Sequence, residues 1–209
     1  MITEQFFNKW IWSFLLIIPI CGLIFDEPYY ITLATKVIIL GIAGVGLNLA
    51  LGYCGLISFG HAAFFGVGGY VTAIMSYHAI NEEVLFHWPF DIFGSSEMLI
   101  IWPFAIFISS FFSLIIGLLS LRTSGVYFIM ITLAFAQMLY FFSISWPNYG
   151  GEDGLSIYMR NSLPLLNTMN PLTFYLISLS WLLTSIYISY KLINSPFGMA
   201  LQAVKQNEE

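Results

Sequence analysis

Charge is what this sequence is poorest in. Asp, Glu, Lys and Arg make up 8% of its 209 residues, against 59% hydrophobic, where a soluble globular domain carries about 25% charged residues. Six Lys and Arg with eleven Asp and Glu cannot clothe a water-facing surface, so the apolar surface must face lipid. There is no basic cluster, which argues against nucleic acid as a partner. Cysteine is scarce: Cys21 and Cys54 both sit in or beside apolar stretches, and they read as small buried hydrophobes rather than a disulfide frame or metal site. No phosphate-cradling Gly-x-x-x-x-Gly-Lys-Ser/Thr run is present, so the chain is expected to hydrolyse no nucleotide itself. His61, His78 and His87 lack the spacing of a His-Glu-x-x-His metal site, and no nucleophile–base pair is evident. No cofactor is implied.

What the chain has is long apolar runs. A spanning helix needs about 20 mostly apolar residues. Six segments come near this: 10–25, interrupted by Pro19; 29–51, with Lys36 as its one charge; 64–80; and the uncharged 98–121, 126–146 and 172–190. Lys9 before the first run resembles the start of a signal peptide, but no small-x-small cleavage site follows, which favours an uncleaved helix. The expected fold is therefore all-α, a polytopic transmembrane bundle of about six spans, and the whole chain, 1–209, reads as one transmembrane domain. With the N-terminus in the cytoplasm, Lys9, Arg122, Lys191 and Lys205 fall on that side. Asp26, Glu27, Glu82, Glu83, Asp91, Glu97, Glu152 and Asp153 fall on the other, with Arg160, while Lys36 snorkels outward. Trp10, Tyr29, Trp88, Trp146 and Tyr190 near segment ends suit interfacial belts.

Four stretches carry chemistry. Residues 44–70 read GVGLNLALGYCGLISFGHAAFFGVGGY, with eight glycines and no charge. Small residues let backbones approach, as Ala62 and Gly66 would. A broken or re-entrant segment is expected, since irregular backbone at membrane depth survives only when buried in protein or lining a cavity. Transporters place substrate paths at such breaks. Asn48, Ser58 and His61 are thus candidate pathway residues, the alternative being that they only join helices by hydrogen bonds. Thr132 and Gln137, polar groups within an apolar helix, stand in the same position.

The run LNLALGYCGLISFGHAAFFGVGGY resembles the signature LNLxxGYxGxxSxGHAAFxGxGAY of the branched-chain amino acid ABC transporter permease family, with Gly69 for Ala. LRTSGVYFIMITLAFAQ, residues 121–137, resembles its LRxxGxYFAxxTLAFxE/Q, with Arg122 and Gly125 in a tight connection. YGGEDGL, residues 149–155, resembles its TGGxDGL loop, with Tyr149 for Thr. SPFGMALQAVKQNEE, residues 195–209, resembles SPFGRALxAIRENE, the segment that contacts the ATPase, with Met199 for Arg. In that last segment Ser195 suits an N-cap and Pro196 the first turn. Phe197, Ala200, Leu201 and Val204 form one apolar stripe.

The resemblance implies a permease subunit of an ATP-driven importer, most simply for branched-chain amino acids. Its implied partners are lipid, a second permease subunit, cytoplasmic ATP-binding subunits and an extracytoplasmic binding protein in a bacterial-type inner membrane. Gly151, Glu152, Asp153 and Gly154 would meet the binding protein or close the outer gate, or form only a solvated turn. Ser195, Pro196, Phe197, Gly198, Leu201, Val204, Lys205, Asn207 and Glu208 would couple to the ATPase. Family members usually continue past this segment with more helices, so the chain is expected to be the N-terminal part of a longer domain, apparently truncated. The alternatives are a urea or short-amide importer, a non-functional remnant, and a membrane-embedded hydrolase or metal enzyme.

Overall fold

A computed structural model of the chain describes residues 15, 17–20, 22, 27–86, 92–157 and 159–206. They are helical apart from loops and one two-stranded ladder. The helices are α1 (Pro28–Asn48), α2 (His61–Ile80), α3 (Met98–Ser120), α4 (Val126–Ile144), α5 (Pro171–Ile193) and α6 (Pro196–Gln206). A π-helical turn, Leu49–Tyr53, continues α1. Strands β1 (Val84–Phe86) and β2 (Ile92–Phe93) pair antiparallel between α2 and α3. Leu15, residues 17–20 and Gly22 are also helical. The rest of the first expected span lies outside the described residues, as do Cys21, His87, Asn207 and Glu208.

Five of these helical segments are long and apolar enough to cross a membrane: Pro28–Tyr53, His61–Ile80, Met98–Ser120, Val126–Ile144 and Pro171–Ile193. Their ends differ from the hydropathy reading by a few residues, because hydrogen bonding rather than polarity sets a helix end. The first of them has 26 residues, about 39 Å at 1.5 Å each, longer than the roughly 30 Å hydrocarbon layer. Local chemistry explains the starts. Pro28 and Pro171 lie in first turns, where a missing N–H leaves no gap in the ladder, and the Asn170 side chain accepts from the Leu172 N–H at 3.0 Å. Before α4, Gly125 takes φ +58°, a conformation other residues avoid. The large apolar side chains are widely exposed, among them Phe107 (69%), Leu118 (62%) and Met130 (61%). In water such surface would drive aggregation; in lipid it is the solvent-facing side.

The chain forms two compact units. One comprises Met1–Cys54 with Asn167–Glu209, the other Gly55–Leu166. In the first, α1 packs along α5. Ile31, Ala34 and Ile38 meet Tyr175 and Leu182 in its buried core, and the Tyr175 hydroxyl donates to the Leu15 carbonyl. Such interhelical hydrogen bonds matter because lipid competes with apolar contacts, though each contributes only about 0.6 kcal/mol on average.

In the second unit, α2 packs on α3 and α4. The close approach runs through Gly68, where a methyl would lie 3.2 Å from Ser109 Oγ. Gly66 has nothing within 4 Å and Ala62 is exposed, so the expected Ala62–Gly66 pair does not make this contact. The loops at one end clasp each other: Ser162 N–H donates to the Ser96 carbonyl at 2.8 Å and Met98 N–H to the Ser162 carbonyl at 2.9 Å. The Ser76 hydroxyl lies 2.7 Å from Asn161 Oδ1 and 2.8 Å from the Thr72 carbonyl, which ties α2 to the same loops.

Candidate functional site

Three places bear on function. The first is the glycine-rich break. After the π turn the backbone is irregular until His61 starts α2. Within the second unit, Ser58 Oγ accepts from the Gly60 N–H at 3.1 Å. Gly60 lies against α4: a methyl on it would be 3.2 Å from the Thr132 carbonyl and 3.3 Å from Thr132 Cβ. Thr132 is buried and donates to the Ile129 carbonyl at 3.0 Å. Next to Gly60, His61 Nδ1 is buried without a hydrogen-bond partner, and its ring meets the Phe64 edge.

The fold thus gathers Ser58, Gly60, His61 and Thr132. It does not gather Gln137 with them. Gln137 is exposed, and five residues turn a helix through about 500°, leaving it about 140° from the Thr132 face. Asn48 belongs to the other unit, where its Oδ1 crowds Gly52. Burial raises the Cys54 thiol above its ordinary pKa, which makes it a poor nucleophile. His61 and His78 stand at opposite ends of α2, about 25 Å apart by helical rise, too far to share a metal. Among the described residues no group of three His, Cys, Asp or Glu is placed to hold one.

The second place is the turn after α4. Gly150, Gly151 and Gly154 have φ of +85°, +51° and +76°. A side chain on Gly150 would collide with the Gly154 backbone, so only glycine permits the turn to close. Glu152 and Asp153 are exposed at its tip. The anchor is Tyr149, whose hydroxyl is 2.9 Å from His78 Nε2 and whose carbonyl accepts from the Tyr70 hydroxyl at 3.4 Å. His78 is 91% buried by side chain, and its Nδ1 is 3.9 Å from Glu83 Oε2. Glu83 is placed there because α2 ends with Glu82 at φ +54° and the Glu83 N–H returns to the His78 carbonyl at 3.1 Å, a left-handed helix stop. Tyr77, His78, Glu83, Asn148 and Tyr149 line an open cleft of about 330 Å³. Sequence reasoning missed this cluster, although a tyrosine where the family has threonine was a visible signal.

The third place is the α5–α6 corner. Ser195 Oγ donates to the Leu192 carbonyl at 2.6 Å and accepts from the Gly198 N–H at 3.4 Å. Pro196 opens α6. Gly198 is buried with its α-carbon facing the Ile193 carbonyl so closely that no side chain fits. Around the helix, Phe197 (59%) and Met199 (64%) are exposed, while Leu201 is half-buried; the Val204 side chain lies outside the described residues. At the far end Lys205 Nζ donates to the Gly52 carbonyl at 2.8 Å.

Apolar helices of spanning length mark the chain as a multi-pass membrane protein. Residues 29–209 match the family described as branched-chain amino acid transport system / permease component, and the chain belongs to that family. No curated protein and no solved structure gives a significant match.

Proposed function

We propose that the chain is a membrane-spanning subunit of an ATP-driven importer for branched-chain amino acids. The observation that carries this reading is the family match across 29–209. Support comes from α6, which leaves Phe197 and Met199 exposed on a helix otherwise tied down at both ends. Exposed apolar side chains on a short helix suit contact with a partner subunit. In this reading α6 docks on a cytoplasmic ATPase subunit, and nucleotide-driven closure of that subunit moves the membrane helices in alternating access.

The basic residues Arg122, Lys191 and Lys205 then lie in the cytoplasm, as the positive-inside bias favours. Residues 149–154 lie outside, where Glu152 and Asp153 meet a binding protein. In this reading Ser58, His61 and Thr132 line the path.

Membrane vesicles holding the chain with its permease and ATPase partners test the reading. Uptake of labelled leucine that depends on ATP supports it. ATP-driven uptake of urea or acetamide without leucine would keep the scaffold and overturn the cargo. Phe197→Asp should abolish capture of the ATPase subunit while leaving membrane insertion intact, and unchanged capture would overturn the docking role of α6.

A further inference from the structure

A hydrogen bond joins the π turn to α6 across 153 residues of chain, from Lys205 Nζ to the Gly52 carbonyl at 2.8 Å. The chemistry of helix ends explains the bond. The last carbonyls of a helix have no donor within it, and a cation there also meets the negative end of the helix dipole. In the π turn the Cys54 N–H reaches back five residues to the Leu49 carbonyl at 3.3 Å, which leaves Gly52 among the carbonyls that need an outside donor. Asn48 supports the arrangement from the side: its Oδ1 would lie only 2.5 Å from a methyl on Gly52. A side chain at position 52 would therefore displace the Asn48 amide beside the point where the ammonium lands.

The other end of α6 is fixed to α5 by Ser195 and by the close packing of Gly198 on the Ile193 carbonyl. Since α1 and α5 share one core, α6 straps together the ends of two packed helices. The strap holds a winding that is uncommon and concentrated at functional sites. Cys54 closes that turn and is also the last residue before the chain passes into the second unit at Gly55.

We propose that Lys205 is a positioning residue that latches α6 to the Leu49–Tyr53 turn, so that displacing α6 frees the turn to rewind. The role of the ATPase as the displacing partner rests on the function proposed above; the latch itself does not. In the resting chain the ammonium holds the Gly52 carbonyl and the π register persists. When α6 shifts, the carbonyl loses its donor and the turn seeks another pairing, which changes the backbone at the start of the glycine-rich break.

Cys54 reports on this directly. The test uses the full chain in native membranes, with Cys21→Ser removing the other thiol, and follows the rate of maleimide labelling. Lys205→Met keeps the side-chain length and removes the donor, and it should label about tenfold faster. Lys205→Arg restores a donor and should stay within about twofold of the parent. Hydrogen exchange on the same variants should show lost protection at 49–54 and unchanged protection in α2–α4, which separates latch release from general unfolding. Equal labelling of Lys205→Met and the parent, or an arginine variant as fast as the methionine one, would overturn the latch. With the ATPase subunit added, faster labelling of the parent supports both readings. Acceleration by Lys205→Met but none by the subunit upholds the latch and removes its assigned partner.

Discussion

The imidazole of His78 and the phenol of Tyr149 are joined by a 2.9 Å hydrogen bond across 71 residues of chain. It fixes the turn after α4 to the end of α2. On its other side, His78 Nδ1 is buried without a hydrogen-bond partner, and the nearest carboxylate oxygen, Glu83 Oε2, is 3.9 Å away.

Removing that hydroxyl leaves a buried ring nitrogen without a partner. Tyr149→Phe is expected to lower stability by about 1–3 kcal/mol, the usual penalty for an orphaned buried group. His78→Phe in the same background should recover part of the loss, because neither partner then needs the other. Thermal unfolding of the detergent-solubilised chain measures both, and a Tyr149→Phe melting curve that overlays the parent would remove the bond's structural role.

Gly60 sets how closely α2 approaches Thr132. Gly60→Ala places a methyl 3.2 Å from the Thr132 carbonyl, so a shift of a few tenths of an ångström suffices and the loss should stay below about 1 kcal/mol. Gly60→Val overpacks the contact and should lose about 1–3 kcal/mol. Melting and leucine uptake should fall together for valine and hardly for alanine. Equal behaviour of the two variants would mean the helices do not meet here.

Glu82 holds a left-handed conformation, φ +54°, which disfavours a residue with Cβ by about 1–2 kcal/mol. Glu82→Gly should therefore raise stability by about 1 kcal/mol, seen as a higher midpoint in the same melting assay. A lower midpoint would show that the Glu82 side chain makes a contact worth more than the strain.

Gly198 makes the α5–α6 corner tight. Gly198→Ala drives a methyl into the Ile193 carbonyl, and backbone cannot yield as a flexible side chain would. The corner should open, and capture of the ATPase subunit should weaken at least tenfold. Ser195→Ala removes only a cap, about 1 kcal/mol, and should weaken capture far less. Full capture by Gly198→Ala would show that the angle of α6 is not what the partner reads.

The amino-acid order alone marked 98–121, 126–146 and 172–190 as long uncharged runs, because about twenty such residues in a row have one comfortable solvent. It also offered the start of α6 at Pro196, since caps and prolines act within a few residues. Only the tertiary structure decided that Gly68 rather than Ala62 and Gly66 meets α3, that Gln137 faces away from Thr132, and that His78 finds Tyr149. The Lys205–Gly52 bond belongs to the same group. Such pairings depend on where distant helices come to rest, and in lipid that is settled by shape and a few hydrogen bonds, which leave no periodic trace in composition.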